Sequence, residues 1–322
     1  MVMKAADPFV LLTELVIKTT ILKRGIMVQR IVAITSMFAL PFISSADFLD
    51  GVRAEDLSLD RIEQPSAEDT IGISDWSRYF NELERRPVSP NGRFVAEVRT
   101  KGRYADGIWI TNLATGEDYQ IDIYGMMPKW SSNDSLIAYL WHGPLLNVYD
   151  SRGHQLYGGD ELYVCDRDGN NKTNLTSGLV CSGFQWSPDC QHIGFSYWDT
   201  LTGPKGGFNL GVVNVETRSI ITIDKGAPYI DMSFSFSPNG NLIAYCQPIK
   251  WQLMTEWWPT DAELFVCNID GTHKTQITRT EAVERMVKWL NDGKSLVVEQ
   301  HGSDPSDFSL PRYVKIVLKT KD

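Results

Sequence analysis

Phe234-Ser235-Phe236-Ser237-Pro238-Asn239-Gly240-Asn241-Leu242-Ile243-Ala244-Tyr245 has the composition of a β-hairpin. Ser-Pro-Asn-Gly is turn chemistry, with proline pre-setting φ and Asn-Gly tolerating positive φ, and apolar β-formers alternate with small or polar residues on both sides. The pattern recurs four times. Ser89-Pro90-Asn91-Gly92 leads into Phe94-Val95-Ala96, and Trp130-Ser131-Ser132-Asn133-Asp134 into Leu136-Ile137-Ala138-Tyr139. Trp186-Ser187-Pro188-Asp189-Cys190 precedes Ile193-Gly194-Phe195, and Trp289-Leu290-Asn291-Asp292-Gly293 precedes Leu296-Val297-Val298.

Counted from Ser89, Ser131, Ser187, Ser237 and Leu290, the copies are 42, 56, 50 and 53 residues apart. That period fits a four-stranded propeller blade, for which ~40 to 50 residues is typical. Each interval holds a second motif: Gly107-Ile-Trp-Ile-Thr-Asn112, Glu161-Leu-Tyr-Val-Cys-Asp166, Asn209-Leu-Gly-Val-Val-Asn214 and Glu263-Leu-Phe-Val-Cys-Asn268. Two continue in parallel, Asp166-Arg-Asp-Gly169 to Thr173-Asn-Leu-Thr176 and Asn268-Ile-Asp-Gly271 to Thr275-Gln-Ile-Thr278. The unit is strand, Ser-Pro-Asn-Gly turn, strand, variable loop, strand, Asp-Gly turn, strand.

These repeats, from about Arg86 to Lys319, resemble the TolB-type, WD-like β-propeller blade, which is shared with propellers of the prolyl-oligopeptidase type. The resemblance implies an all-β propeller, and the five turn motifs set it at five four-stranded blades over residues 87–322, or six if residues 47–86 fold as a degenerate blade. TolB itself has an α/β domain ahead of six blades, and the stretch from Ala46 to Ser89 is too short for one. No Gly-x-Ser-x-Gly occurs, so the hydrolase domain that accompanies related propellers is absent.

The strand count runs short in blade five, where only Tyr313 to Leu318 follows Leu296 to Glu299. An outer strand from the N-terminal side is expected to close the ring, because an unclosed ring exposes an edge. Thr70-Ile71-Gly72-Ile73 is the first choice as donor and Leu57 to Ile62 the second. Residues 47–73 otherwise read as an acidic linker or an irregular arm. Trp76, Tyr79, Phe80 and Leu83 then follow at helical spacing, ahead of Pro87.

The chain has 322 residues, 43% hydrophobic and 22% charged, the composition of a globular protein. Residues 1–46 carry five basic and two acidic side chains, so the formal net charge of −9 becomes −12 for residues 47–322. Such an acidic body repels nucleic acid and anionic lipid. Lys23, Arg24 and Arg30 precede the apolar run Ile31 to Ile43, and Ser44-Ser45-Ala46 offers a small-x-small cleavage site. This is the order of an export signal, with translation expected to begin at Met27, and it predicts a periplasmic or secreted protein without a stable membrane span after processing. Five cysteines lie in the repeats. Cys165 and Cys267 hold equivalent places and are expected to pack between sheets, with no structural disulfide.

Short turns occupy one face and long loops the other. The long loops, about Thr100 to Asp106, Trp141 to Asp160, Tyr197 to Phe208, Gln247 to Ala262 and Gln300 to Pro311, carry the candidate binding residues Trp141, His142, Tyr149, His154, Tyr157, Trp198, Trp251, Trp257, Trp258 and His301. Exposed aromatics among polar neighbours on a rigid scaffold suit a protein or glycan partner. Asp166-Arg-Asp-Gly169 lacks the spacing of a calcium loop and reads as a turn. No catalytic residue, metal or cofactor is expected on this reading. The alternative comes from resemblance to the oligogalacturonate lyases, TolB-like propellers that bind a divalent metal through histidines; His142, His154 and His301 share the loop face.

Overall fold

The computed structural model describes residues 46–70, 86–101, 104–142, 148–149, 155–156, 160–199, 208–227, 234–251, 259–302 and 312–321. An N-terminal arm comprises α1 (Ala46–Leu49), a 3-10 turn (Ala54–Asp56), β1 (Leu57–Glu63) and α2 (Ala67–Thr70). Blade one follows with β2 (Phe94–Lys101), β3 (Tyr104–Asn112) and β4 (Asp118–Asp122). Blade two has β5 (Gly125–Trp130), β6 (Leu136–His142), an inserted hairpin β7 (Val148–Tyr149) and β8 (Gln155–Leu156), then β9 (Asp160–Asp166) and β10 (Thr173–Asn174). Blade three comprises β11 (Leu179–Trp186), β12 (His192–Asp199), β13 (Phe208–Asn214) and β14 (Ile220–Ala227). Blade four comprises β15 (Phe234–Phe236), β16 (Leu242–Trp251), β17 (Pro259–Asn268) and β18 (Thr275–Gln276). Blade five adds β19 (Val283–Trp289), β20 (Ser295–His301) and β21 (Arg312–Thr320).

The repeated turn owes its regularity to one serine. Ser237 Oγ accepts the Leu242 N–H at 3.0 Å and donates to Asn239 Oδ1 at 2.8 Å, while Gly240 N–H closes the turn on the Ser237 carbonyl. Ser89, Ser131 and Ser187 repeat the bond to the N–H five residues on. The fourth turn residue has positive φ in every copy: 71° at Gly92, 76° at Gly240 and 67° at Gly293, and also at Asp134 and Cys190. Blade five has Leu290 in place of the serine, and the Trp289 indole instead donates to the Gly293 carbonyl across the same turn.

All strand pairs within blades are antiparallel, and the fourth strand of blade five is β1, paired with β21 from Leu57↔Thr320 to Glu63↔Lys315. The second-choice donor therefore closes blade five. Thr70 ends α2, and residues 71–73 lie outside the described residues, as does the Trp76–Leu83 helix expected from spacing. Of the two readings of residues 47–73, linker or irregular arm, the described part is an arm: Leu49, Ala54 and Leu57 are buried between blades four and five. Acidic outward side chains such as Asp60 and Glu63 mask those few core contacts in the sequence. Blade one also differs from expectation, since its innermost segment is a single bridge, Val88↔Val95, flanked by Pro87 and Pro90. Two prolines so close together remove the donors a longer ladder needs.

Apolar clusters join successive blades. Phe94, Ala96, Ile108 and Ile110 meet Trp130, Ile137, Tyr139 and Cys165; Ala138, Leu140 and Leu162 meet Phe184 and Phe195; Leu210, Val212 and Ile223 meet Phe234, Phe236 and Cys267. Packing is close enough that a Cβ on Gly194 would stand 2.6 Å from the Phe234 ring. Cys165 and Cys267 thus pack between sheets, and all five cysteines are free. Blades four and five merge further, through a parallel contact of Ala262 with Val283.

Candidate functional site

The loop face is built from the ends of the second strands, the starts of the third, and the crossings into the next blade. Several expected loops are shorter than the sequence suggests, because the ladders continue: β16 runs to Trp251, paired with Pro259, and β12 carries Trp198 opposite Val180. Tyr149 lies in the inserted hairpin. The side chains of Tyr149, Trp198 and Trp251, and His154, Tyr157, Trp257 and Trp258 altogether, lie outside the described residues.

At the end of β6, Trp141 packs its ring against Tyr163 at 5.6 Å and edge-on against Tyr124 at 5.9 Å. Beside it His142 Nδ1 lies 2.5 Å from Asp160 Oδ1. A pocket of about 290 Å³ opens here, lined by Gln120, Ile121, Asp122, Ile123, Tyr124, Trp141 and Lys172, with Ile123 and Tyr124 exposed at its rim. Its Asp122 is fully engaged: it accepts from the Tyr139 hydroxyl (3.1 Å), Lys172 Nζ (3.0 Å) and the Tyr124 N–H (2.8 Å). Burial, with Asp122 adjacent, raises the Tyr139 phenol pKa. Blade four repeats the clasp with Asp224 and Lys274, whose ammonium also sits over the Tyr245 and Phe265 rings.

A second group, at the seam of blades four and five, was not singled out from sequence. Glu284 is 1% exposed, yet its oxygens accept from the Thr278 hydroxyl (2.7 Å) and Gln300 Nε2 (3.0 Å). Burial pushes its carboxyl up to about 7. Glu299, 5% exposed, accepts from the Tyr313 hydroxyl at 3.1 Å, and its other oxygen lies 2.6 Å from His301 Nε2. Glu263, 3% exposed, accepts the Thr280 N–H through Oε1, and burial raises its pKa as well. Its Oε2 and Asp261 Oδ1 are buried with no hydrogen-bond partner among the described residues. The Cys246 thiol is held far above its usual range by burial and by these carboxylates, and burial lowers the Arg285 pKa. Carboxylates placed within strands are the signal that could have found the group: Glu284 is the second residue of Val283–Trp289, and Glu299 directly follows the apolar run Leu296–Val298.

Of the expected site residues with described side chains, Trp141 and His142 belong to the blade-two group and His301 to the blade-five group. The two histidines are paired with carboxylates of their own blades. Among the described residues, no three His, Cys, Asp or Glu side chains are placed to hold one metal ion.

The topology defines a five-bladed β-propeller with an acid-rich seam on its loop face. It is similar in fold to the putative TolB from Agrobacterium tumefaciens (15% identity, 74% of this chain and 76% of that one, TM-score 0.45). Similar too are an oligogalacturonate lyase from Vibrio parahaemolyticus (14%, 66% and 54%, TM-score 0.46) and the β-propeller domain of the trilobed protease from Pyrococcus furiosus (12%, 69% and 65%, TM-score 0.48). The chain spans about half the length of that lyase. These likenesses concern architecture alone, and the fold assignment rests on the strand pairing. No family model and no curated protein matches the chain. No helix among the described residues is long and apolar enough to cross a membrane.

Proposed function

We propose that the protein is an exported, non-catalytic propeller that binds a protein or carbohydrate partner through its loop face, in the periplasm or outside the cell. The observation that carries this reading is the concentration of buried carboxylates, two with an unpaired oxygen, at the strand ends of blades four and five. Burying unpaired charge costs stability, and such costs cluster at functional positions. Trp141 and the exposed Tyr124 supply aromatic contact area on the same face, and Trp251, Trp257, Trp258, Tyr149, His154, Tyr157 and Trp198 complete the proposed surface. The lyase reading has less support, since His142 and His301 lie in different groups and each already faces a carboxylate.

The test pairs two double variants, Tyr124→Ala/Trp141→Ala and Trp257→Ala/Trp258→Ala. Each is expected to keep a cooperative melt while losing at least tenfold in affinity for a captured envelope protein or an arrayed glycan. Unchanged affinity in both would place the functional surface elsewhere. Release of unsaturated product from oligogalacturonide in the presence of Mn²⁺ would replace binding with catalysis.

A further inference from the structure

Blades two and four offer an internal control for the acidic seam. In blade two Glu161 is satisfied twice, by Asn174 Nδ2 at 2.8 Å and the Gly178 N–H at 2.8 Å. The equivalent Glu263 keeps the backbone donor, from Thr280, with the Thr278 hydroxyl also against it, but receives no amide among the described residues, where Gln276 stands in place of Asn174. In blade two the Thr176 hydroxyl accepts the Leu162 N–H at 2.8 Å and meets the neutral Cys181. Its counterpart Thr278 accepts the Leu264 N–H at 2.9 Å and meets Glu284. Blade four has therefore lost the amide bond to its glutamate and gained a carboxylate at the same junction.

What remains are acceptors. Glu263 Oε2 and Asp261 Oδ1 are buried oxygens two residues apart on one face of β17, on residues 3% and 8% exposed, and neither oxygen has a partner among the described residues. Asp261 Oδ2 already receives an ammonium from the solvent side: Lys250 Nζ stands 3.3 Å away on a side chain that is 72% exposed. An exposed amine on a flexible stem, held at that distance, is weakly bound and displaceable. A ligand group fitting these acceptors must carry several donors and positive charge, as lysine ammonium and arginine guanidinium do. A partner of opposite charge is also favoured by the −12 of residues 47–322.

We infer that Asp261 and Glu263, at the loop end of β17, form a subsite for a lysine or arginine side chain of a basic polypeptide partner, with Lys250 occupying its mouth until the partner displaces it. The inference rests on the loop face being the binding surface and narrows the partner from protein or glycan to a basic protein.

The probe is argininamide, titrated into the full chain at pH 8 and compared with sodium chloride at matched ionic strength. The melting temperature of the wild type is expected to rise by several degrees above the salt control. Lys250→Ser should reach the same rise at severalfold lower concentration, and Glu263→Gln should show none. Should Glu263→Gln not fold, Asp261→Asn serves in its place, with the same expected loss. A rise preserved in the carboxamide variant, or no rise in either the wild type or Lys250→Ser, overturns the inference. These outcomes are distinct from failure of the broader reading: absence of an argininamide effect alongside lost capture by Tyr124→Ala/Trp141→Ala removes the subsite and leaves the binding face standing.

Discussion

The junction leaving blade two, residues 173–181, and the junction leaving blade four, residues 275–284, share one backbone design. In both a threonine hydroxyl caps an N–H of the third strand, at Leu162 and Leu264, and the glutamate one residue before it accepts a backbone N–H from the crossing. They differ in what the design encloses. The first packs Cys181 into an apolar cluster, and the second encloses Glu284 beside Glu263. Identical scaffolding with opposite polarity separates what the fold requires from what it merely tolerates: the threonine cap is structural, and the buried carboxylates are an addition.

The harshest way to break the contrast is to give blade two the polarity of blade four. Cys181→Glu would bury a carboxylate and extra volume in an apolar cluster lacking the Gln300 amide. A loss of about 4 kcal/mol is expected in chemical denaturation, with the same transition slope. A loss under about 1 kcal/mol would mean that either junction can host an acid.

Removing the shared cap probes the second layer. Thr176→Val is expected to cost about 1 kcal/mol, the value of one backbone cap, whereas Thr278→Val also strips a donor from Glu284 and should cost about 2 to 3 kcal/mol at pH 8. Equal losses would show that the Thr278–Glu284 bond contributes nothing. The smallest effect is expected from Gln276→Asn, which restores the donor found in blade two. It should stabilise the chain by about 0.5 to 1 kcal/mol in the same assay and weaken the argininamide response.

Much of the ring was legible because each residue of the repeat has a local task. Serine, asparagine and a positive-φ residue are all dictated within the turn, so five copies announce five blades. The closing strand was harder to place, since Leu57 and Leu59 are its main inward residues and Asp60, Arg61 and Glu63 engage one another outside. A half-exposed edge strand reads as an acidic linker. The acidic seam was not legible. Glu263 and Glu284 are 21 positions apart, and only the parallel contact of Ala262 with Val283 brings their strands together. The difference between Asn174 and Gln276 acquires meaning only once Glu161 and Glu263 are known to be equivalent in space.

The most direct measurement of the central claim, that this seam holds carboxylates whose charge the fold does not fully compensate, is unfolding free energy against pH for the wild type and Glu284→Gln. A carboxyl raised in the folded state to about 7 contributes stability below the ordinary carboxylate range, and that contribution is lost as pH rises through about 7. Asp69, held low by the Ser66 N–H, and Asp270, held low by the Thr272 hydroxyl, act in the opposite sense in both proteins and cancel, so the difference between the curves reports Glu284 together with its coupling to Glu263. The wild type is expected to lose about 3 kcal/mol relative to Glu284→Gln between pH 5 and pH 8. Parallel curves over that range would contradict the account.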